Sequence, residues 1–232
     1  MRVDVLPGIE AVAHRAAEVI AGEARAAVAA RGWFLLAASG GATPWRMLRL
    51  LAAEDVPWSF VHLFQVDERA VPAGHPDRNL THLRESLLCR IPLPQGQLHA
   101  MPVEDSDLEA AAVRYAATLQ EVAGKPAVLD LVHLGLGADG HTASLVPGDP
   151  VVDVEDADVA VSGVYQGYRR MTLTLPLLDR ARRILWVVTG PEKREGLSCL
   201  LHGDHAIPAV RVRADRALVL ADEAAAGPAS SS

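Results

Sequence analysis

The chain has 232 residues, half of them hydrophobic, with a formal net charge of −7 and a pI near 5.7. That length supports one sizeable domain, burying about 70–75% of the surface its unfolded chain exposes, or two small ones. The acidic balance argues against a general nucleic-acid binder, which needs a basic face, and no segment reads as a signal peptide or a membrane span, so a cytoplasmic protein free of nucleic acid and membrane is expected.

In chain order, a short strand near residues 3–6 is followed by a long Ala-rich helix pattern over 9–30. An apolar run at 33–37 leads into Ser39-Gly40-Gly41-Ala42-Thr43-Pro44, and Thr43 as cap with Pro44 at the first helical position predicts a helix over 45–53. A strand at 61–66 ends in Asp67-Glu68-Arg69, with a helix expected over 78–89. The alternation continues through a strand at 98–101, a helix at 108–122 and a strand at 129–134. Three more strands at 170–175, 184–188 and 217–220 enclose helices near 177–181 and 192–201. Strands alternating with helices predict an α/β fold: a mostly parallel sheet with helices on both faces. Residues 1–223 read as a single α/β domain, and the small, polar stretch 224–232 as a disordered tail. Cys89 and Cys199 lie in helix-like apolar contexts without a CxxC spacing, which predicts buried, reduced thiols.

Four constellations can carry chemistry. Ser39-Gly40-Gly41-Ala42-Thr43-Pro44, between a strand and a helix, offers successive backbone donors at a helix N-terminus and so an anion site. The plain alternative is an ordinary turn with a Thr cap. No Gly-Lys-Ser/Thr follows, which argues against a nucleoside triphosphate. Gly135-Leu136-Gly137-Ala138-Asp139-Gly140 formally satisfies GxGxxG, but Pro147-Gly148-Asp149-Pro150 precludes the long helix of a dinucleotide site. The glycines, Gly137 among them, instead allow a ligand close to the backbone. His141 follows Asp139-Gly140 in this turn at a strand end, and an imidazole so placed is a candidate base. His62, His99, His133 and His205 have no comparable setting and read as packing or surface residues. Asp67-Glu68-Arg69, again past a strand, is either an acid–base and anion-binding group or a solvated charge cluster in a loop. Arg170 and Lys193 could complete an anion clamp. No HExxH, paired CxxC or EF-hand pattern occurs, so neither a metal nor another cofactor is expected. A GxSxG elbow is also missing, which favours an activated water over a serine nucleophile.

ASGGATP at residues 38–44, FQVDERAVPAGHPDRN at 64–79, LDLVHLGLGADGHTASLVPG at 129–148 and RRMTLTLPLLDRARRILWVVTGPEKREGL at 169–197 together resemble the 6-phosphogluconolactonase family, in family order. The resemblance implies a Rossmann-like fold and a sugar-phosphate lactone as substrate, hydrolysed without a cofactor in the oxidative pentose phosphate pathway by a monomer or weak homo-oligomer. By the same resemblance Ser39, Gly40, Gly41 and Thr43 form the phosphate-facing turn, Arg170 and Lys193 grip the phosphate, His141 is the general base, and Arg69 faces developing negative charge. Asp67 or Asp139 would orient the catalytic groups. Arg78 stands where the family commonly has serine, which leaves the contribution of Asn79 to binding open. The related glucosamine-6-phosphate deaminases carry a glutamate a few residues beyond the histidine. Here the stretch is Ser144-Leu145-Val146-Pro147, a neutral and apolar neighbourhood that favours lactone hydrolysis. A deaminase/isomerase-like enzyme and a non-catalytic sugar-phosphate sensor are the alternatives.

Overall fold

A computed structural model of the chain describes residues 1–227. Strand β1 (Arg2–Leu6) precedes helix α1 (Ile9–Arg31), whose buried face, Val12, Ala13, Ala16, Ala17, Ile20, Ala21 and Ala24, keeps the 3.6-residue period of a helix laid on a sheet. Gly32, at φ +83°, ends α1 by donating its N–H to the carbonyl of Val28. Strand β2 (Phe34–Ala38) runs into α2 (Ala42–Leu51), β3 (Val61–Gln65), β4 (Asp67–Arg69) and α3 (Asn79–Ser86). Then come β5 (Leu98–His99), α4 (Leu108–Ala123) with Asp107 capping the N–H of Ala110, and β6 (Leu131–Leu134). The chain continues through β7 (Val159–Tyr165), β8 (Tyr168–Leu173), α5 (Leu175–Arg180), β9 (Ile184–Val188), α6 (Arg194–His202), β10 (Ala217–Asp222) and α7 (Glu223–Ala226).

Seven strands form one parallel sheet in the order β1-β10-β9-β6-β2-β3-β5. Its five inner strands, β10, β9, β6, β2 and β3, are almost wholly buried, as parallel strands are when helices cover both faces, whereas the edge strand β1 is largely exposed. Along β9, Leu185 and Val187 face one core with α1 and α2, while Ile184, Trp186 and Val188 face a second core with α4, α5 and α6. The remaining strands make a small antiparallel sheet, β4-β8-β7. The connection after β2 leads to β3 on one side, and the connection after β6 leads to β9 on the other. Adjacent strands whose connections diverge leave a crevice beyond their carboxyl ends, where α/β proteins bind ligands.

The α/β architecture with a mostly parallel sheet stands, and the differences are local. Helix α2 starts at Ala42 behind Gly41 (φ +130°), so Thr43 and Pro44 lie inside its first turn rather than acting as cap and first residue. The residues 67–69 are a buried strand, not a solvated loop. Helix α3 stops at Ser86 and tightens into a 3-10 turn at Leu88–Arg90, ahead of Pro92. Strand β7 is an element the sequence reading missed, and it draws the strand expected at 170–175 out of the parallel sheet. Ala224 to Ala226 are helical because Asp222 caps them through the N–H of Ala225, so the expected disordered tail does not begin at 224. Residues 228–232 lie outside the described residues. Cys89 is exposed in the turn after α3, and Cys199 is half-buried, off the face of α6 that carries Leu197 and Leu200. Among the described residues no helix is long and apolar enough to cross a membrane.

His133 on β6 is fully buried, and burial pushes its imidazole down to about 3 from 6.5. Unfolding releases this histidine to bind a proton at mildly acidic pH, so its contribution is present above pH 6.5 and is lost as pH falls toward 3. Urea titrations at pH 7 and pH 5 should show the wild type losing about 2 kcal/mol more than a His133→Asn variant over that interval. Equal losses in the two proteins would mean that His133 titrates normally in the fold.

Candidate active site

The crevice holds a cavity of about 600 Å³, within the range of small-molecule sites. One wall is the turn after β2. His133 neighbours Ala38 in the β2–β6 register and accepts the N–H of Ser39 on Nδ1 at 3.2 Å. The hydroxyl of Ser39 donates to the carbonyl of His133 at 3.0 Å. Ser39 thus ties the turn to β6, and its hydroxyl is committed there. A Cβ at Gly40 would lie 2.1 Å from Asn79 Oδ1, so only glycine permits this approach. No side chain caps α2, and its first residues, Ala42 and Thr43, line the cavity beside Gly41. Unpaired N–H groups at a helix start favour an anion. Thr43 Oγ1 lies 2.6 Å from Thr189 Oγ1, which joins this turn to the loop after β9.

The opposite wall is the glycine loop after β6. Gly137 donates its N–H to the carbonyl of His141 at 2.7 Å, and Gly140, at φ +79°, donates to the carbonyl of Gly137 at 3.0 Å. The loop closes on itself and is followed by a short 3-10 turn at Pro150–Asp153 rather than an α-helix, so it lacks the element a dinucleotide site requires. The imidazole of His141 packs on Gly137, where a Cβ would come within 2.1 Å of its Nδ1. His141 Nδ1 lies 2.6 Å from Asp139 Oδ1. Tyr165 donates its hydroxyl to Asp139 Oδ2 at 2.9 Å. Burial alone would push the Asp139 carboxyl up, but the charge of His141 and hydrogen bonds from His141 and Tyr165 outweigh it and hold Asp139 below its ordinary value. An ionised Asp139 accepts the proton on Nδ1, which fixes the tautomer with its lone pair on Nε2. The immediate surroundings of His141 are therefore polar, contrary to the apolar neighbourhood expected from residues 144–147.

The floor comes from the small sheet. In the β4–β8 register Asp67 faces Thr172 and Arg69 faces Arg170. Two guanidiniums directly opposite each other repel. Arg170 is buried, and desolvation followed by the charge of Arg69 lowers its pKa. Among the described residues Arg170 reaches only the carbonyl of Tyr165 at 3.3 Å and Oε1 of Gln166 at 3.4 Å, and the Nε atoms of both arginines are buried without partners. This is an anion-demanding arrangement. Arg69 is aimed by the carbonyl of Asp77 at 2.8 Å and Asn79 Oδ1 at 2.9 Å. Asp67 accepts the hydroxyl of Ser144 at 2.7 Å and the amide of Asn79 at 3.4 Å, but makes no hydrogen bond to His141. Of the two acids considered as its support, Asp139 is the one in contact.

Glu68, fully buried, accepts the N–H groups of Arg69, Asn79 and Leu80 and the amide of Gln65, although desolvation raises its pKa. It caps α3 and places Asn79 in the site. Arg78 is buried beside it, with Nε 3.8 Å from Glu68 and Nη1 3.0 Å from Glu104. The departure at position 78 thus leaves Asn79 in place. Lys193 closes the cavity from the turn after β9, next to Gly190, whose N–H donates to Asp222.

Eleven of the twelve residues expected from the sequence, Ser39, Gly40, Gly41, Thr43, Asp67, Arg69, Asn79, Gly137, His141, Arg170 and Lys193, line this one cavity, and the twelfth, Asp139, stands behind His141. The sequence reading missed Tyr165, Gln166, Thr189 and Glu192 in or beside the cavity; His133, read as a packing or surface residue, and Glu68, read as a member of the Asp67-Glu68-Arg69 group, stand behind it. The Gln166-Gly167 pair, both at positive φ between alternating strands, was the available signal for the first two.

The profile described as glucosamine-6-phosphate isomerases/6-phosphogluconolactonase matches residues 7–220. A 6-phosphogluconolactonase of Synechocystis is 38% identical over 200 residues, covering 84% of this chain and 83% of that protein. One of Mycobacterium tuberculosis is 37% identical over 213 residues, covering 87% and 86%. The crystal structure of 6-phosphogluconolactonase from Thermotoga maritima superposes with a TM-score of 0.85 at 26% identity, covering 95% of this chain and 98% of that one. The chain belongs to the glucosamine-6-phosphate isomerase/6-phosphogluconolactonase family.

Proposed function

We propose that this protein is a 6-phosphogluconolactonase that hydrolyses 6-phospho-D-glucono-1,5-lactone to 6-phosphogluconate in the oxidative pentose phosphate pathway. The observation that carries the reading is the opening of the Asp139-held His141 onto the same cavity as the Ser39–Thr43 turn, Arg170 and Lys193. The phosphate is gripped by the start of α2 with Arg170 and Lys193, and this fixes the lactone carbonyl near His141. Nε2 of His141 takes a proton from water as the water oxygen attacks C1, and the carbonyl becomes an oxyanion. Collapse of this intermediate breaks the bond from C1 to the ring oxygen, which receives the proton from Nε2. Arg69 faces the transient negative charge, and Asp139 stabilises the imidazolium that forms between the two steps. Asp67 holds Asn79 and Ser144, and with them the β4 side of the pocket. Gly137 keeps the space that the imidazole occupies.

Deamination would call for a further acid beyond the histidine. The next one, Asp149, is used at the N–H groups of Val151 and Gly163. This supports hydrolysis over the deaminase alternative. The unpaired Cys89 and Cys199 suit a reducing compartment, and the reading places the enzyme in the cytoplasm, acting on a small-molecule substrate.

The direct test is turnover of freshly generated lactone, corrected for its spontaneous hydrolysis. His141→Ala should lower kcat by about 10²–10⁴-fold while retaining affinity for 6-phosphogluconate. Wild-type turnover in a folded His141→Ala protein would remove the mechanism. Arg170→Ala and Lys193→Ala should instead raise KM by about tenfold or more with a smaller change in kcat, because each removes a charge-assisted contact to the phosphate. Unchanged KM in both variants would move the phosphate elsewhere.

A further inference from the structure

The hairpin joining β7 to β8 turns at Gln166 (φ +50°) and Gly167 (φ +87°), and it carries Tyr165 to the edge of the cavity and Gln166 into its lining. No step of the mechanism above uses Tyr165, yet its contacts fall on both halves of the site. Its hydroxyl lies 2.9 Å from Asp139 Oδ2 and 3.4 Å from His141 Nδ1. Its ring meets the imidazole edge-on, with centroids 5.2 Å apart. The guanidinium carbon of Arg170 stands 4.9 Å from the centre of the same ring, and Arg170 also donates to the carbonyl of Tyr165.

We infer that Tyr165 is a positioning residue that locks the Asp139–His141 pair through its hydroxyl and supports the phosphate-binding Arg170 through its ring. The inference rests on the lactonase reading. Asp139 has one oxygen on His141 and the other on Tyr165, so rotation of the carboxylate breaks both bonds at once. With the hydroxyl in place, the carboxylate stays aimed at Nδ1 and the lone pair stays on Nε2. The π-face of Tyr165 stabilises a cation that is already desolvated and opposed by Arg69, where such a contact counts most. Gln166 fits this role, since its Oε1 accepts from Arg170 and its Nε2 lies 3.4 Å from the tyrosine hydroxyl.

The two functions separate by substitution. Tyr165→Phe keeps the ring and loses the hydroxyl, so kcat should fall about tenfold with KM unchanged. Tyr165→Leu loses both, so the same fall in kcat should be joined by a rise of about threefold in KM. Adding Tyr165→Phe to Asp139→Asn should cost less than about twofold, because the partner of the hydroxyl is already altered. Titration with 6-phosphogluconate should give one site per chain in every variant. Wild-type kcat in Tyr165→Phe, full multiplication of the two losses, or a binding stoichiometry that drops in step with kcat would overturn the inference. Nitrogen-15 NMR of the His141 ring, which needs no substrate, should show a proton on Nδ1 in the wild type and a larger Nε2–H population in Tyr165→Phe. An unchanged tautomer would also overturn it. A wild type with this NMR signature but no lactone turnover would sink the lactonase reading alone.

Discussion

Strands β2 and β6 lie side by side and parallel, yet the chain leaves them in opposite directions. No connection crosses the gap beyond their ends, so the two following loops face each other across open space. One loop must present the start of α2, because the parallel sheet requires a helix to return the chain to β3. The other is free of a helix and can fold into the tight glycine turn that holds His141. The register Ala38–His133 and the hydrogen bonds between Ser39 and His133 fix the two loops relative to each other. The relative placement of the α2 start and the His141 loop depends on that junction.

The small antiparallel sheet supplies what the parallel sheet cannot. It aligns Arg69 with Arg170 in direct register, with the Nε of each buried and without a hydrogen-bond partner among the described residues. Such a pair costs stability in the free protein and returns part of that cost when an anion arrives, which favours the anionic substrate of the proposed function. An overall charge of −7 does not oppose this, since exposed charges more than about 8 Å away are screened at physiological salt. The acidic surface and the cationic pocket are compatible because the arginines act at contact distance in a partly desolvated cavity.

The long elements were legible from the sequence because their periods are unambiguous: α1 repeats its Ala-rich face from Val12 to Ala27, about four turns, and β9 appears with the bounds its apolar run gives. The loops that carry the chemistry were legible because glycine, proline and hydroxyl residues cluster where a strand ends. What escaped was whatever depends on strand order. His133 sits in an apolar run and reads as packing; its hydrogen bond to Ser39 exists only because β2 and β6 are neighbours across nearly a hundred residues of chain. The opposition of Arg69 and Arg170 needs the β4–β8 register, and Tyr165 reaches Asp139 only through a hairpin whose Gln-Gly turn is a weaker signal than Asn-Gly. The α2 cap was misplaced because Thr-Pro is a good helix start in isolation, whereas Gly41 at positive φ lets the helix begin earlier.

In the proposed function one small molecule spans the anion-binding turn and the imidazole. A crystal structure with 6-phosphogluconate bound tests it most directly. Phosphate oxygens should lie within hydrogen-bond distance of the first α2 amides, Arg170 and Lys193, with the C1 carboxylate at Nε2 of His141. A phosphate seated away from that turn, or a C1 carboxylate out of reach of His141 while the phosphate occupies it, would rule out a shared site.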